Sequence, residues 1–393
     1  MSFFYPLAMS NWNSKEIDAI HKVIESDRYS MGQFVKEFEA KVAQRFGSQF
    51  AVMVNSGSSA NLLMLTALKL KFGHAERIEP NIIVPAISWS TTYTPSYYLG
   101  YKLKFVDVSE GNYGINPTVA SQAIDDHTVG IMAVNLLGSP AELDKLKQIA
   151  DSRGIHLLED NCESLGATIG EKYTGSFGIM SSHSSFFSHH INTMEGGWVT
   201  TDDEELYEIL KSLRAHGWTR ELALGSPLLD GVVKGSFDEK FNFILPGLNF
   251  RPLEMEAAIG LAQLEKIDDM LLIRRQNAQV FKQLFKQLEG VEIQNPYGNS
   301  SWFAFSLVFQ EQAIRERVAK ALDLNQIESR PVVAGNFLRQ RVLRHLNYES
   351  FGSFEVVEKL DTRGMYLGNH PISLAAQIEK AWVVIKEILE GGR

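Results

Sequence analysis

The segment SSHSSFFSHHINTMEGG (181–197) carries three histidines within eight residues, His183, His189 and His190, among hydroxyl side chains and ahead of a Glu-Gly-Gly turn. Imidazole changes charge near neutrality, so such a run suits proton transfer or metal ligation. A zinc site is disfavoured, because adjacent His189 and His190 point apart on an extended chain and no HExxH spacing occurs. By residue type alone the run also reads as histidines on a surface loop. Three further places offer chemistry. In NSGSSAN (55–61), Gly57 and Ser58 open a helix where free amides can bind an anion, although a plain N-cap gives the same pattern. Asp160 ends the apolar strand IHLLED, where a carboxylate needs a cationic or hydrogen-bonding partner; it serves a protonated ring nitrogen or caps the next loop. Trp89 follows NIIVPAIS and either stacks on an aromatic ligand or packs in the core.

The elements that position these residues follow from periodicity. Ile17, Ile20, Val23 and Ile24 mark a first amphipathic helix, and Phe34, Phe38, Val42 and Phe46 a second that Gly47 ends. Short apolar strands then alternate with helices: AVMV (51–54), NIIVPA, KLKFVDV, VGIMAVNLL and IHLLED are strands. SSANLLMLTALKLKFG and the proline-initiated PAELDKLKQIADSRG are helices. This alternation predicts an α/β fold with a largely parallel sheet covered on both faces, and ligands beyond the carboxyl ends of its strands. The predicted division is residues 1–250, with the N-terminal helices and the large domain, and 251–393, a smaller α+β domain. The latter begins with long helical material, EMEAAIGLAQLEKIDDMLLIRRQNAQVFKQLFKQL, and contains the strand WFAFSLVF.

Composition narrows the class. The chain has 393 residues, 45% hydrophobic and 22% charged, with 38 Lys and Arg against 47 Asp and Glu. A net charge of −9 without a basic run argues against a nucleic-acid surface. No apolar run is long enough to span a bilayer, and the N-terminal MSFFYPLAMSNWNSKE lacks a signal pattern. One cysteine, Cys162, excludes an internal disulfide and a four-thiolate cluster. A cytoplasmic enzyme is the expectation.

In order, FVKEFEAKVA, VNSGSSANLLML, VPAISWSTT, LLEDNCESLGA, SSFFSHHINTMEGG, LRAHGW and LPGLNFRPLEMEAA resemble the DegT/DnrJ/EryC1/StrS sugar aminotransferase family, across nearly the whole chain. The resemblance implies the aspartate-aminotransferase-like fold of pyridoxal 5′-phosphate (PLP) enzymes. Counting back from Glu195-Gly196-Gly197 places His189 where the family carries its cofactor-bonding lysine. Imidazole has no primary amine, so the cofactor, PLP or its pyridoxamine form, is expected to be held non-covalently. The matching positions imply Ser184, Gly57 and Ser58 at the phosphate, Trp89 on the ring, Asp160 at the ring nitrogen and Glu163 near the phenolic oxygen. They also imply Asn249 donated by a neighbouring subunit, hence a homodimer with shared sites. His216 and Arg251 are candidates for the carboxylates of L-glutamate, and Arg28, Tyr29 and Ser30 for the sugar-nucleotide site.

One branch of the family lacks the lysine and removes the 3-hydroxyl of a nucleotide-linked 4-keto-6-deoxy sugar, releasing ammonia. The resemblance to its cluster-free, glutamate-using members implies that reaction here, with guanosine diphosphate as the nucleotide and His189 as the base. An imidazole pKa of roughly 6.5 suits base and acid steps better than an unshifted lysine at roughly 10.4. A sugar aminotransferase recruiting another lysine and a non-catalytic ligand-binding relative are the competing readings.

Overall fold

The computed structural model describes residues 3–73, 79–229 and 235–391; the first two residues of the N-terminal segment lie outside them. Helices α1 (Ser14–Ser26) and α2 (Gln33–Phe46) lead into β1 (Phe50–Val54) and α3 (Gly57–Lys71). Then come β2 (Asn81–Pro85), β3 (Lys102–Val106), β4 (Thr128–Val134), α4 (Leu143–Arg153) and β5 (His156–Asp160). Strands β6 (Met180–Ser184) and β7 (Gly197–Thr201) precede α5 (Glu204–Arg214), α6 (Glu254–Leu264) and α7 (Ile267–Phe285). The last part contributes β8 (Val291–Ile293), β9 (Ala304–Phe309), α8 (Gln312–Leu324), β10 (Ser329–Arg330), β11 (Tyr348–Ser350), β12 (Gly364–Gly368) and α9 (Ala375–Glu390).

The large sheet runs β1-β7-β6-β5-β4-β2-β3-β11, and only β7 is antiparallel to its neighbours. Its inner strands are buried at every position of NIIVP and TVGIMAV, as expected of strands covered on both faces. The small sheet, β8-β9-β12-β10, is antiparallel throughout. The expected division at residue 250 is crossed in both directions. Tyr5 belongs to the small-domain core with Phe281 and Phe305, its hydroxyl donating to the Gly368 carbonyl (2.5 Å), while β11 returns to the edge of the large sheet.

Local details differ from the periodicity. Helix α1 buries Glu16, Ala19 and Val23, whereas Ile17 and Ile24 are about half exposed. Glu16 turns inward because its carboxylate accepts from the Asn13 amide (2.7 Å) and pairs with Lys266 (2.5 Å). Helix α4 starts at Leu143 rather than at Pro140, because the Asn135 side chain captures the Ala141 amide (2.9 Å). The long helical stretch breaks at Glu265–Lys266 into α6 and α7.

Helix α2 has a capping arrangement with a consequence for the loop before it. Its N-cap, Gly32, has no side chain, and the buried Glu254 of α6 accepts instead from the amides of Gly32 (2.7 Å), Phe34 (3.0 Å) and Val35 (3.0 Å). Glu254 thereby ties the Arg28–Met31 loop to α6, and Ser30 bridges to Leu253. Each buried donor left without a partner costs about 1–3 kcal/mol. Glu254→Ala should therefore lower stability by roughly 2–4 kcal/mol, read by thermal or urea unfolding, and Glu254→Gln by clearly less.

Candidate active site

A cavity of about 480 Å³ opens beyond the carboxyl ends of β1, β5 and β6, where parallel strands present their last side chains to a ligand. Ser56 caps α3 by accepting from the Ser59 amide (3.1 Å), which leaves the first turn facing the cavity. Gly57 is required here by space: a Cβ on it would lie 2.7 Å from the Ser184 Cβ and 3.1 Å from the Cys162 sulfur. Ser184, the last residue of β6, lies beside this turn, so a hydroxyl and a helix N-terminus converge on one end of the cavity.

The strand β5 sorts two adjacent carboxylates by alternation. Glu159, fully buried, accepts from the amides of Gly175, Phe177 and Gly178 (2.7–2.9 Å) and orders that loop. Asp160 lies in the cavity wall: its Oδ2 accepts from Asn61 (2.9 Å) and Thr92 (2.8 Å), its Oδ1 from the Cys162 amide (3.3 Å). All three donors are neutral, so the carboxylate's charge remains to be matched by a cation. Glu163 accepts from the Leu137 amide (2.9 Å), and burial, with Asp160 nearby, pushes its carboxyl up to about 7. Burial first, then Asp160, also raises the Cys162 thiol well above its ordinary value.

The three histidines have separate fates. His183 is inside β6, stacked on Trp198 (5.0 Å between centroids) and bonded to the Thr200 hydroxyl (3.1 Å). His190 is buried with Nε2 on the Ser301 carbonyl (3.2 Å). Only His189 lines the cavity, its ring edge-on to Phe303 (5.2 Å) and Phe186 (6.0 Å). The three rings thus do not converge on one point, and His183 and His190 are buried rather than solvated. Burial, helped by Arg274, lowers the His189 pKa to about 4, below the near-neutral value expected from residue type. The imidazole is neutral at pH 7, and an anionic ligand beside it would raise its basicity.

Trp89, 61% exposed, and Ser58, whose hydroxyl donates to Thr91 (2.9 Å), line the mouth of the cavity. The remaining expected residues lie elsewhere in the single chain. Arg28, Ser30 and Arg251 line a separate cavity of about 880 Å³ with Lys36 and Arg220. Asn249 is exposed and accepts from the Arg251 Nε (3.0 Å), and Tyr29 is nearly half exposed. His216 has left-handed backbone (φ 66°) and donates its amide to the Leu248 carbonyl (2.8 Å). Residue type did not single out Asn61 and Thr92, which grip Asp160, nor Phe303, Arg330 and Tyr366, which reach the cavity from the C-terminal part. Only sheet topology could have found them.

Among the described residues lining the cavity there is no lysine. A carboxylate awaiting a cation, an indole at the mouth and a serine beside a helix N-terminus fit a phosphorylated pyridinium held without a covalent bond. The chain belongs to the DegT/DnrJ/EryC1/StrS aminotransferase family, whose pattern it matches over residues 11–386. Within that class it is 45% identical over 390 residues to GDP-4-keto-6-deoxy-D-mannose 3-dehydratase of Yersinia pseudotuberculosis, covering 98% of both chains. The solved structure of the Escherichia coli enzyme of that name, with hydrated PLP bound, is 44% identical, with a TM-score of 0.95, covering 98% of this chain and 100% of that one. A crystal structure of GDP-4-keto-6-deoxymannose-3-dehydratase with a trapped PLP-glutamate geminal diamine gives 44% identity and a TM-score of 0.93, covering 97% and 100%.

The raised Glu163 pKa has a signed consequence. A carboxyl that ionises at about 4.3 when unfolded but near 7 when folded favours its neutral form in the fold. Stability is therefore lost as pH rises from about 4.5 to 7 and changes no further above that. In cofactor-free protein, Glu163→Gln should raise the unfolding midpoint at pH 8 and leave it unchanged near pH 4.5. A gain of equal size at both pH values would disprove the assignment.

Proposed function

We propose that this chain is a PLP-dependent lyase that removes the C3 hydroxyl of GDP-4-keto-6-deoxy-D-mannose. L-Glutamate converts the cofactor to its pyridoxamine form, and the reaction yields ammonia and a 4-keto-3,6-dideoxy sugar. The carrying observation is His189, a neutral imidazole that lines a cavity in which, among the described residues, there is no lysine. When bound, the pyridoxamine form supplies a primary amine for the sugar ketone and a ring that accepts an electron pair.

Each residue then has a defined task. Asp160 holds the proton on the ring nitrogen, which keeps the ring electron-poor. Trp89 covers the ring face. Ser184 with the amides of Gly57 and Ser58 takes the phosphate, and Glu163 faces the phenolic oxygen. His189 takes up a proton at its imidazole and delivers it to the departing C3 hydroxyl. With no amine to recapture the cofactor, water releases the product.

A homodimer completes the site. Exposed Phe243, Leu248 and Leu253 flank Asn249, an apolar surface suited to a second copy, and Asn249 would then reach the partner's phosphate end. His216 and Arg251, with Arg28, Tyr29 and Ser30, would face substrate across that interface. The pathway is deoxysugar biosynthesis, with a colitose-type sugar of a lipopolysaccharide O-antigen as its end use. A cytoplasmic location goes with a sugar-nucleotide substrate and an unpaired cysteine. Among the described residues, no helix is long and apolar enough to cross a membrane.

The test is incubation with PLP, L-glutamate and GDP-4-keto-6-deoxy-D-mannose, measuring ammonia and the loss of the 3-hydroxyl. An aminated sugar, or no turnover, rejects the reading. His189→Lys should instead form a borohydride-fixable bond to PLP, visible in the absorbance spectrum, and lose deoxygenation by at least about 100-fold, the scale of general acid–base catalysis.

A further inference from the structure

Three consecutive carbonyls in the linker before β9 are each taken by a side chain from another element. His190 Nε2 donates to the Ser301 carbonyl (3.2 Å), and Asn369 Nδ2 to the Trp302 carbonyl (2.7 Å). Arg274 of α7 takes the third, its Nη1 donating to the Phe303 carbonyl (3.4 Å) and also to the Asn369 carbonyl. Asn369, just past β12, is held in turn: it donates to the Arg274 carbonyl (3.1 Å) and accepts from Asn277 of α7 (3.1 Å). Arg274 is an unusual residue for this work. It is 3% exposed, its Nε is buried without a partner, and among the described residues no carboxylate pairs with it. A buried cation satisfied by carbonyls alone costs more than a neutral side chain in the same space. What it holds is the residue against which the cavity histidine rests. The Phe303 ring meets His189 edge-on (5.2 Å between centroids) and stands 5.8 Å from His190. The other contacts of His189 are local. Its amide donates to the Phe186 carbonyl (2.8 Å), the Phe186 ring stands at 6.0 Å, and Ser188 Oγ lies 3.4 Å from Nδ1, long for a hydrogen bond. Phe303 therefore supports the imidazole from outside its own loop.

We infer that Arg274 is a positioning residue for His189: by gripping the Phe303 carbonyl it fixes the ring on which the imidazole rests, and with it the direction of proton transfer. The inference rests on the deoxygenation reading above and adds a residue that does not itself line the cavity.

Wild type, Arg274→Gln and Arg274→Lys are reconstituted with pyridoxamine 5′-phosphate, and thermal melts establish which variants fold. Each is mixed with GDP-4-keto-6-deoxy-D-mannose, and a single turnover of deoxygenation is followed over a range of sugar-nucleotide concentrations. Arg274→Gln should turn over roughly 10- to 100-fold more slowly, the scale of a misplacement of about 1 Å. The sugar-nucleotide concentration giving half the maximal rate and the affinity for the cofactor should both be unchanged, as for a contact felt only in the transition state. Arg274→Lys keeps the charge on a shorter stem and should fall between Arg274→Gln and wild type. A wild-type rate in Arg274→Gln, or in Arg274→Lys should the first not fold, overturns the inference. So does a slower rate matched by an equal loss of cofactor affinity, or failure of both variants to fold, since either makes Arg274 a structural residue only. Wild type that does not deoxygenate at all refutes the reading beneath it instead.

Discussion

A carboxylate buried without a cation is the constraint on which the rest of the site depends. Asp160 stands at the end of a central strand, and its charge is met only by neutral donors drawn from separate elements: Asn61 of α3, Thr92 after β2 and the Cys162 amide. Those donors are in turn held, Asn61 by the Ser182 hydroxyl (2.6 Å) and Thr92 by Ser88 (2.8 Å). The network prevents the carboxylate from relaxing toward solvent or an incidental lysine, so its electrostatic demand is directed into the cavity. A protonated pyridine meets that demand, whereas a neutral ring would leave the carboxylate unpaired in a poorly solvated place. Cofactor charge state and cofactor affinity are therefore set by the same contacts.

The other end of the cavity, proposed for the phosphate, is built from the opposite kind of feature, backbone rather than charge. Gly57 and Gly197 allow α3, β6 and β7 to close to distances that any Cβ would block, with Gly197 packed on the Gly57 nitrogen and the His183 carbonyl. This close packing fixes Ser184 against the helix N-terminus. Among the described residues the cavity offers no lysine for a covalent anchor, so a cofactor there would have to be retained by these two ends of the cavity and by stacking between them. Rigidity is what makes such an arrangement sufficient, because each group is ordered before the ligand arrives.

Much of this was legible in the sequence, for identifiable reasons. The glycine-opened helix and an acid at a strand end are local signals that singled out Gly57 and Asp160, whereas Ser184 came from the family resemblance; all three line the same cavity. The His-His pair was legible too, because extended backbone sends neighbouring side chains to opposite sides. What local pattern could not carry was burial and long-range pairing. The depressed pKa of His189 arises from what packs around it, Phe303 and Arg274 from the distant C-terminal part included. The Glu254 cap on α2 joins residues more than two hundred positions apart, and nothing in either segment announces it. Similarly, Ile17 and Ile24 satisfied the helical period yet remain at the surface, since a period identifies an apolar face without saying what covers it.

The position of His189 shows how two parts of the chain share control of one side chain. Its amide donates to the Phe186 carbonyl (2.8 Å), which closes the loop locally, but its ring rests on Phe303 in the linker just before β9 of the small sheet. The next residue, His190, reaches the Ser301 carbonyl in that same linker, and Asn369 bonds the Trp302 carbonyl (2.7 Å) and the Arg274 carbonyl (3.1 Å). Trp302 itself has left-handed backbone (φ 51°), a conformation that persists only where neighbours over-determine it. The histidine pair is thus clamped to the junction between the two sheets, the His190 ring bonded to the Ser301 carbonyl and the His189 ring turned into the cavity. A lysine at 189 would need length and freedom to reach a cofactor aldehyde. A short imidazole acting on a proton, as proposed for His189, would need the reverse, a fixed bearing, and the packing at the junction provides one.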